Sequence, residues 1–375
     1  MLDKNEMLQV ELDENVWELK LENAYLWDYV RSRLTNQYLP YVSKNFSIRI
    51  LDFIGLFQLI FLSIKKRDCI FIVGRVDMLE YVEQIKNEFK IKNYLLFIRE
   101  ETPEIKGNAK IIEFIRLCFR RLSFIFAFYK FRKIKKKLLN IKCIRENLSF
   151  KEVDSIVSNF LGDVYFNKAI KRILKGRVFY TNCIIPKVER SMQLMNSYEI
   201  QHGVIHDNHP DYYNVPMNYR IIAINKITED VLRRVGFQGE IINVDIKYKM
   251  DEKKNKYDMI IFTTVSEAFS RDVESFLSKN NLDSIRIQPH PKDKYSYSNK
   301  KIIEKRLRPT DGDLIVMGDS TLIFQCVEFN KHFYLLDPLS FPGKEDEIRA
   351  KYGKDVNFTL IKSLNELSFP LSGNV

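Results

Sequence analysis

Glu199-Ile200-Gln201-His202-Gly203-Val204-Ile205-His206-Asp207-Asn208-His209-Pro210 holds three of the chain's five histidines. The residues from Ser197 to Ile200 have strand character and Gly203 breaks it, so the polar groups fall where a strand hands over to a loop. In an open α/β sheet that edge is where ligands bind. A fourth histidine stands in a matching place, in Gln288-Pro289-His290-Pro291-Lys292, after the strand-like Ser284-Ile285-Arg286-Ile287. Two strand-end histidine sites, one in each half of the chain, predict a cleft with one wall from each half.

The same alternation extends outward in both directions. Asp68-Cys69-Ile70-Phe71-Ile72-Val73-Gly74 is a short apolar run ending in glycine, followed by a helical pattern from Met78 to Phe89 and a second run, Tyr94 to Ile98. Strand, helix, strand at that spacing reads as a parallel unit. Residues 111–175 read as mostly helical. Strands are expected at Arg177 to Thr181, Tyr219 to Ile224 and Gly239 to Val244, with helices around Lys187 to Met195 and Thr228 to Val235. Lys247 to Lys256 is polar and charged and reads as a linker. Beyond it a strand (Met259 to Thr264), a helix (Glu267 to Asn280), the strand feeding His290, a strand (Asp313 to Gly318), a helix (Thr321 to Phe329) and a last clear strand (Lys331 to Leu336) restart the pattern. The expected architecture is therefore α/β: residues 1–246, a linker over 247–256, and residues 257–375.

At 375 residues the chain is long enough for two domains with real cores. Its composition is globular, with 45% hydrophobic and 29% charged residues and no low-complexity tract. The five cysteines (Cys69, Cys118, Cys143, Cys183, Cys326) form no CxxC pair, which points to reduced core residues rather than a disulfide frame or zinc site. The opening Met1-Leu2-Asp3-Lys4-Asn5-Glu6 is polar, so no signal peptide is expected. Ile50 to Ile64 is too short to span a bilayer and contains Asp52 and Gln58.

The formal charge of +11 concentrates at Arg120-Arg121 and from Lys130 to Lys137. That run follows Phe124-Ile125-Phe126-Ala127-Phe128, and the two read as one helix. Basic charge beside aromatic bulk suits peripheral contact with an anionic membrane; a solvated helix face is the plainer alternative. No nucleic-acid recognition motif accompanies it, so nucleic acid is not an expected partner. A cytoplasmic protein, peripheral on the inner face of the plasma membrane, is the expected setting.

Gly318-Asp319-Ser320-Thr321 lies between an apolar strand and an apolar helix. Asp, Ser and Thr are preferred helix caps, and a helix start presents N–H groups and a positive dipole end that suit phosphate; capping alone is the simpler reading. His290, with Pro291 fixing the backbone and Lys292 adding charge, is placed to donate to a phosphate oxygen or to protonate a leaving group, or else only to order its loop. Glu328, two turns past Thr321, is a candidate for a ribose hydroxyl pair. His202 is a candidate general base. Glu199, a carboxylate in an apolar strand, either orients His202, acts as base itself or pairs with a cation. Gln201, Gly203, His206 and Asp207 are candidate acceptor contacts, joined by Arg75 and Asp77 in Gly74-Arg75-Val76-Asp77. No zinc spacing is present and no metal is expected. No Walker loop, GxGxxG, GxSxG or HExxH occurs, which excludes several nucleotide, dinucleotide, hydrolase and metalloprotease classes.

Tyr198 to Ile205, the His290-Pro291 pair and the Ser320-Thr321 helix start together resemble bacterial surface-polysaccharide glycosyltransferases of the GT-B fold. They are similar in particular to sialyltransferase and Kdo-transferase groups, where His-Pro and Ser-Thr motifs bind the CMP part of the donor. Leu26-Trp27-Asp28-Tyr29-Val30-Arg31 resembles the amino-terminal region of capsule and O-antigen proteins. The resemblance implies two Rossmann-like domains facing each other across a cleft. It also implies a nucleotide-sugar donor as co-substrate with no resident cofactor, a glycan or lipid-linked acceptor, and Glu199 or His202 at the reacting carbon. The acidic pair before glycine that carries the base in several sialyltransferases is missing here, so base and stereochemistry stay open. Teichoic-acid transferases using CDP-glycerol or CDP-ribitol share a His-Gly and a His-Pro site and are the alternative, followed by UDP-N-acetylglucosamine 2-epimerases.

Overall fold

The computed structural model describes residues 4–21, 24–34, 69–74, 78–98, 110–173, 177–181, 197–201, 205, 212, 219–248, 257–279, 284–290, 293–298, 303, 307–339 and 342–367. The chain divides into two compact units, Met1–Ile246 and Lys247–Val375.

The first unit opens with helix α1 (Lys4–Asp13), an antiparallel pair β1 (Lys20–Leu21) and β2 (Ala24–Tyr25), and helix α2 (Trp27–Leu34). Strand β3 (Cys69–Val73), helix α3 (Leu79–Glu88) and strand β4 (Tyr94–Ile98) follow. Four helices come next: α4 (Lys110–Phe126), α5 (Phe128–Asn140), α6 (Lys142–Asn147) and α7 (Phe150–Ile173). Strands β5 (Arg177–Thr181), β6 (Ser197–Ile200) and β7 (Arg220–Ala223), helix α8 (Lys226–Arg234) and strand β8 (Glu240–Asn243) complete it. The large sheet is parallel throughout, in the order β4-β3-β5-β6-β7-β8.

Sequence explains these elements directly. All five residues of β3 are buried, as a strand covered on both faces requires. On β5, inside the sheet, Phe179 is fully buried, stacked between Phe71 (4.9 Å) and Tyr198 (5.2 Å), with Phe89 edge-on at 5.3 Å. Helix α8 is capped by Asn225, whose side chain accepts the Thr228 N–H; Arg233 and Arg234 sit in its last turn, where cations suit the dipole.

The helical layer packs by a different device. A Cβ on Gly162 of α7 would lie 2.3 Å from the Arg120 Cα, so only glycine lets α4 and α7 approach this closely. Beside that contact Asp163 is buried and receives Arg116 (3.1 Å), Arg120 (2.6 Å) and the Tyr29 hydroxyl (2.8 Å). Burial alone would raise the Asp163 carboxyl, but the two guanidinium groups hold it below the ordinary carboxylate range. The expected single aromatic-basic helix is in fact two: Ala127 has non-helical φ and ψ (−120°, 26°), ending α4 and starting α5.

The second unit is a parallel sheet in the order Ile285–Gln288 (β10), Tyr257–Phe262 (β9), Gly312–Met317 (β11), Phe333–Leu336 (β12) and Phe358–Ile361 (β13). Its elements are β9 (Tyr257–Phe262), helix α9 (Glu267–Lys279), β10 (Ile285–Gln288), β11 (Gly312–Met317), helix α10 (Ile323–Glu328), β12 (Phe333–Leu336), helix α11 (Lys344–Tyr352) and β13 (Phe358–Ile361). Strand order reverses between β9 and β11, since β10 lies on one side of β9 and every later strand on the other. The strand read as the last clear one, Lys331 to Leu336, forms over Phe333–Leu336 and is followed by a further helix and strand. Helix α11 hides because it is mostly charged and buries only Ile348 and Tyr352, one turn apart, and β13 is an edge strand with one buried residue. Both units are parallel sheets flanked by helices, in keeping with two Rossmann-like domains.

The predicted helix at Lys187 to Met195 and the apolar run Ile50 to Ile64 lie outside the described residues. No described helix is long and apolar enough to cross a membrane.

Candidate functional site

In the second unit three strand ends converge at the reversal point. Thr263 follows β9, and its backbone N–H bonds the Gln288 carbonyl at the end of β10 (3.1 Å). The His290 N–H then donates to Thr263 Oγ1 (3.0 Å), which donates to Asp293 Oδ2 (2.6 Å). Asp293 also accepts the Tyr295 N–H and closes the turn by donating its own N–H to the His290 carbonyl (2.8 Å). Tyr297, buried, lies 3.0 Å from both Asp293 Oδ2 and Ser270 Oγ. Burial pushes its hydroxyl up to about 12, reinforced by the Asp293 carboxylate, so it stays a donor. His290 thus leaves the sheet with its own N–H and carbonyl both held, and the residue is partly exposed.

The other wall comes from β11. Gly318 is buried, and a Cβ there would fall 2.1 Å from the Thr264 Cγ2. Thr264 is therefore pressed between the β9 and β11 ends, and glycine is obligatory for the approach. Asp319 turns away from the crevice: Lys351 and the Tyr352 hydroxyl each reach it at 2.6 Å. Burial favours protonation of this carboxyl, but those two hydrogen bonds keep it below the usual range.

Ser320 and Thr321 do not begin a regular helix. Helix α10 starts at Ile323 with Leu322 as its cap, without a side-chain bond. A tight turn precedes it, in which the Ser320 and Thr321 carbonyls accept from Ile323 (3.1 Å) and Phe324 (3.2 Å), and Ser320 Oγ accepts the Leu322 N–H (3.3 Å). The i to i+3 bonding explains the displaced start. Glu328 closes the helix, and its carboxylate receives the Tyr248 N–H at 3.2 Å and 3.3 Å. That main-chain bond competes with the expected ribose contact.

In the first unit Glu199 is buried on β6 and accepts the Tyr212 hydroxyl at 2.7 Å. Gln201 is buried too, and its side-chain oxygen takes the Ile224 N–H (3.2 Å), tying the ends of β6 and β7 rather than projecting outward. The wall behind Tyr212 is built by the amino-terminal segment. Asp28 accepts the Tyr219 hydroxyl, and Arg31 pairs with Glu11 at 2.7 Å, both residues fully enclosed. Trp27 Nε1 bonds the same Glu11 carboxylate (2.7 Å). The first unit's own reversal point lies between β3 and β5, where the Gly74 N–H donates to Thr181 Oγ1 (2.7 Å).

His202, Gly203, His206, Asp207, Arg75, Asp77, Pro291 and Lys292 lie outside the described residues. Sequence reasoning missed Thr263, Thr264, Asp293, Tyr297, Thr181 and Tyr212. The signal for the threonines was present: Thr263-Thr264 directly follows the buried run of β9, where the strand-end rule applies. Asp293 and Tyr297 had none, because their role depends on the loop folding back. Among the described residues no group of three or more His, Cys, Asp or Glu side chains is placed to hold a metal ion.

No family model matches the chain. No curated protein matches it. Among solved structures it is similar to the wall teichoic acid polymerase TagF, from a crystal soaked with CDPG, at 10% sequence identity and a TM-score of 0.36, over 92% of this chain and 82% of that one. A likeness that loose carries neither fold nor function, which rest on the chain's own geometry.

Proposed function

We propose that the chain is a nucleotide-dependent transferase of the GT-B type, acting in the synthesis of a bacterial surface polymer, with the donor's phosphate at the β9–β11 reversal point. The observation that carries this reading is the convergence of Thr263, Thr264, His290 and Gly318 at adjacent carboxyl ends of a parallel sheet. Open sheets of this kind bind ligands in that crevice. A glycine without room for a Cβ lets main chain approach an anion closely. A histidine on a fixed backbone donates to phosphate and supplies a proton to the departing nucleotide. In the first unit Glu199 and the neighbouring His202 are assigned to the acceptor.

The transferred group is a sugar or a polyol phosphate, and the products separate the two. Sugar transfer from a CMP-linked donor leaves CMP and a glycosidic bond, whereas CDP-polyol transfer leaves CMP and a phosphodiester. The first experiment is a melting panel with CMP, CDP, UDP and GDP. A ligand that binds only the folded state stabilises it by about 2.7 kcal/mol at a hundred times its Kd, a shift of several degrees. A cytidine nucleotide is expected to raise the melting point, and the rise is expected to vanish in His290→Ala. Absence of a shift with every nucleotide would remove the transferase reading.

A further inference from the structure

The chain has 60 Lys and Arg against 49 Asp and Glu, and eleven of the 60 fall between Phe114 and Arg145, where no acid stands. The rest of the chain is therefore balanced, and the whole net charge resides in α4, α5 and the start of α6. Four of the eleven are engaged. Arg116 and Arg120 hold Asp163, Lys135 pairs with Asp154 at 2.5 Å, and Lys142 lies 3.9 Å from Glu146. Arg121, Lys130, Arg132, Lys133, Lys136 and Lys137 are exposed and meet no carboxylate among the described residues.

The same corner carries bare apolar surface. On either side of the break at Ala127, Leu122 (50%), Phe124 (50%), Ile125 (61%), Phe128 (52%) and Tyr129 (79%) are open to solvent. Along α5 the inward face is Ala127, Phe131, Ile134 and Leu138, packed with Val153, Val157 and Phe160. Phe128, Tyr129, Arg132, Lys133 and Lys136 occupy the opposite face by helical spacing. The Arg132 guanidinium lies 4.4 Å over the Phe128 ring, so cation and aromatic are presented together.

We propose that this corner is a docking surface for an anionic lipid bilayer, with Phe124, Ile125, Phe128 and Tyr129 entering the interface and the unpaired cations meeting acidic headgroups. Charge complementarity selects that occupant. A second copy of the chain on this face would set unpaired cations against cations. A nucleic acid would satisfy the charge but leave Leu122 and Ile125 against phosphate. A bilayer answers both, since bulky apolar groups flanked by Lys and Arg seat at the headgroup boundary. The surface is independent of the transferase reading, because vesicle binding needs no nucleotide and nucleotide binding needs no vesicle.

The test is co-sedimentation of the full chain with phosphatidylcholine vesicles, with and without phosphatidylglycerol. Binding is expected only to the anionic vesicles, and is expected to fall as salt rises. Each surface cation contributes about five-fold, so the triple change Arg132→Gln, Lys133→Gln, Lys136→Gln lowers partitioning roughly 100-fold. The double change Phe124→Ser, Phe128→Ser, at exposed positions, weakens it with the melting point unchanged. Several results overturn the proposal: no binding to anionic vesicles, equal binding to neutral ones, or either variant binding like the parent. So does sedimentation velocity showing a dimer that the triple variant abolishes, or an RNA oligonucleotide that displaces the vesicles.

Discussion

Gly318 is the residue on which the crevice depends most sharply. A valine there drives its Cβ into Thr264, and either strand end must move. Gly318→Val is expected to lower nucleotide affinity at least ten-fold by calorimetry, with the far-ultraviolet circular dichroism of the sheet retained. Thr263 acts at one remove, through the His290 backbone and Asp293. Thr263→Val removes a hydrogen bond to a charged group, about 1.5–3 kcal/mol, while Thr263→Ser keeps it. Transfer is expected to drop about ten-fold or more in the valine variant and to recover in serine; equal loss in both would deny Thr263 this positioning role. The strand-end position of His290 was legible from the apolar run before it, whereas the helix start expected at Ser320 falls at Ile323 instead. Asp293 and Tyr297 were not, because what matters is the hydroxyl and carboxylate network brought to them by a turn.

At the level of elements, the central strands and the α4–α7 pair set stability. Phe179→Ala empties a site enclosed by three aromatic rings and is expected to cost about 3–5 kcal/mol, read from denaturant unfolding. Asp163→Asn leaves Arg116 and Arg120 enclosed without their counter-charge and is expected to cost a similar amount, about 3–5 kcal/mol. The acid limb follows from the same group. A carboxyl whose folded value is depressed stabilises fully above its unfolded value near ~3.9 and loses that contribution as pH falls through the folded value. Asp163 and Asp319 both belong here, so the parent is expected to lose stability steeply below about pH 4, and Asp163→Asn less steeply. Continuous buried runs such as Cys69 to Val73 declared themselves in sequence. Helix α11 and strand β13 did not, since a mostly charged helix and an edge strand bury too little to leave a pattern. The Ala127 break was equally silent, because alanine is a strong helix former whose conformation is set there by packing.

Over the whole molecule, composition and alternation were enough to foresee two parallel α/β units, and the strand-end rule was enough to single out the position of His290. Strand order was not legible. That β9 and β11 adjoin, with β10 turned to the other side, is a long-range pairing no local pattern encodes, yet it is what gathers Thr264 and Gly318 at one place. The most direct measurement is hydrogen exchange with mass-spectrometric readout, with and without saturating CDP. The expected result is slowed exchange confined in the second unit to segments 263–266, 289–293 and 318–322. Binding of CDP with protection elsewhere and none in those three segments would contradict the assignment of the donor site.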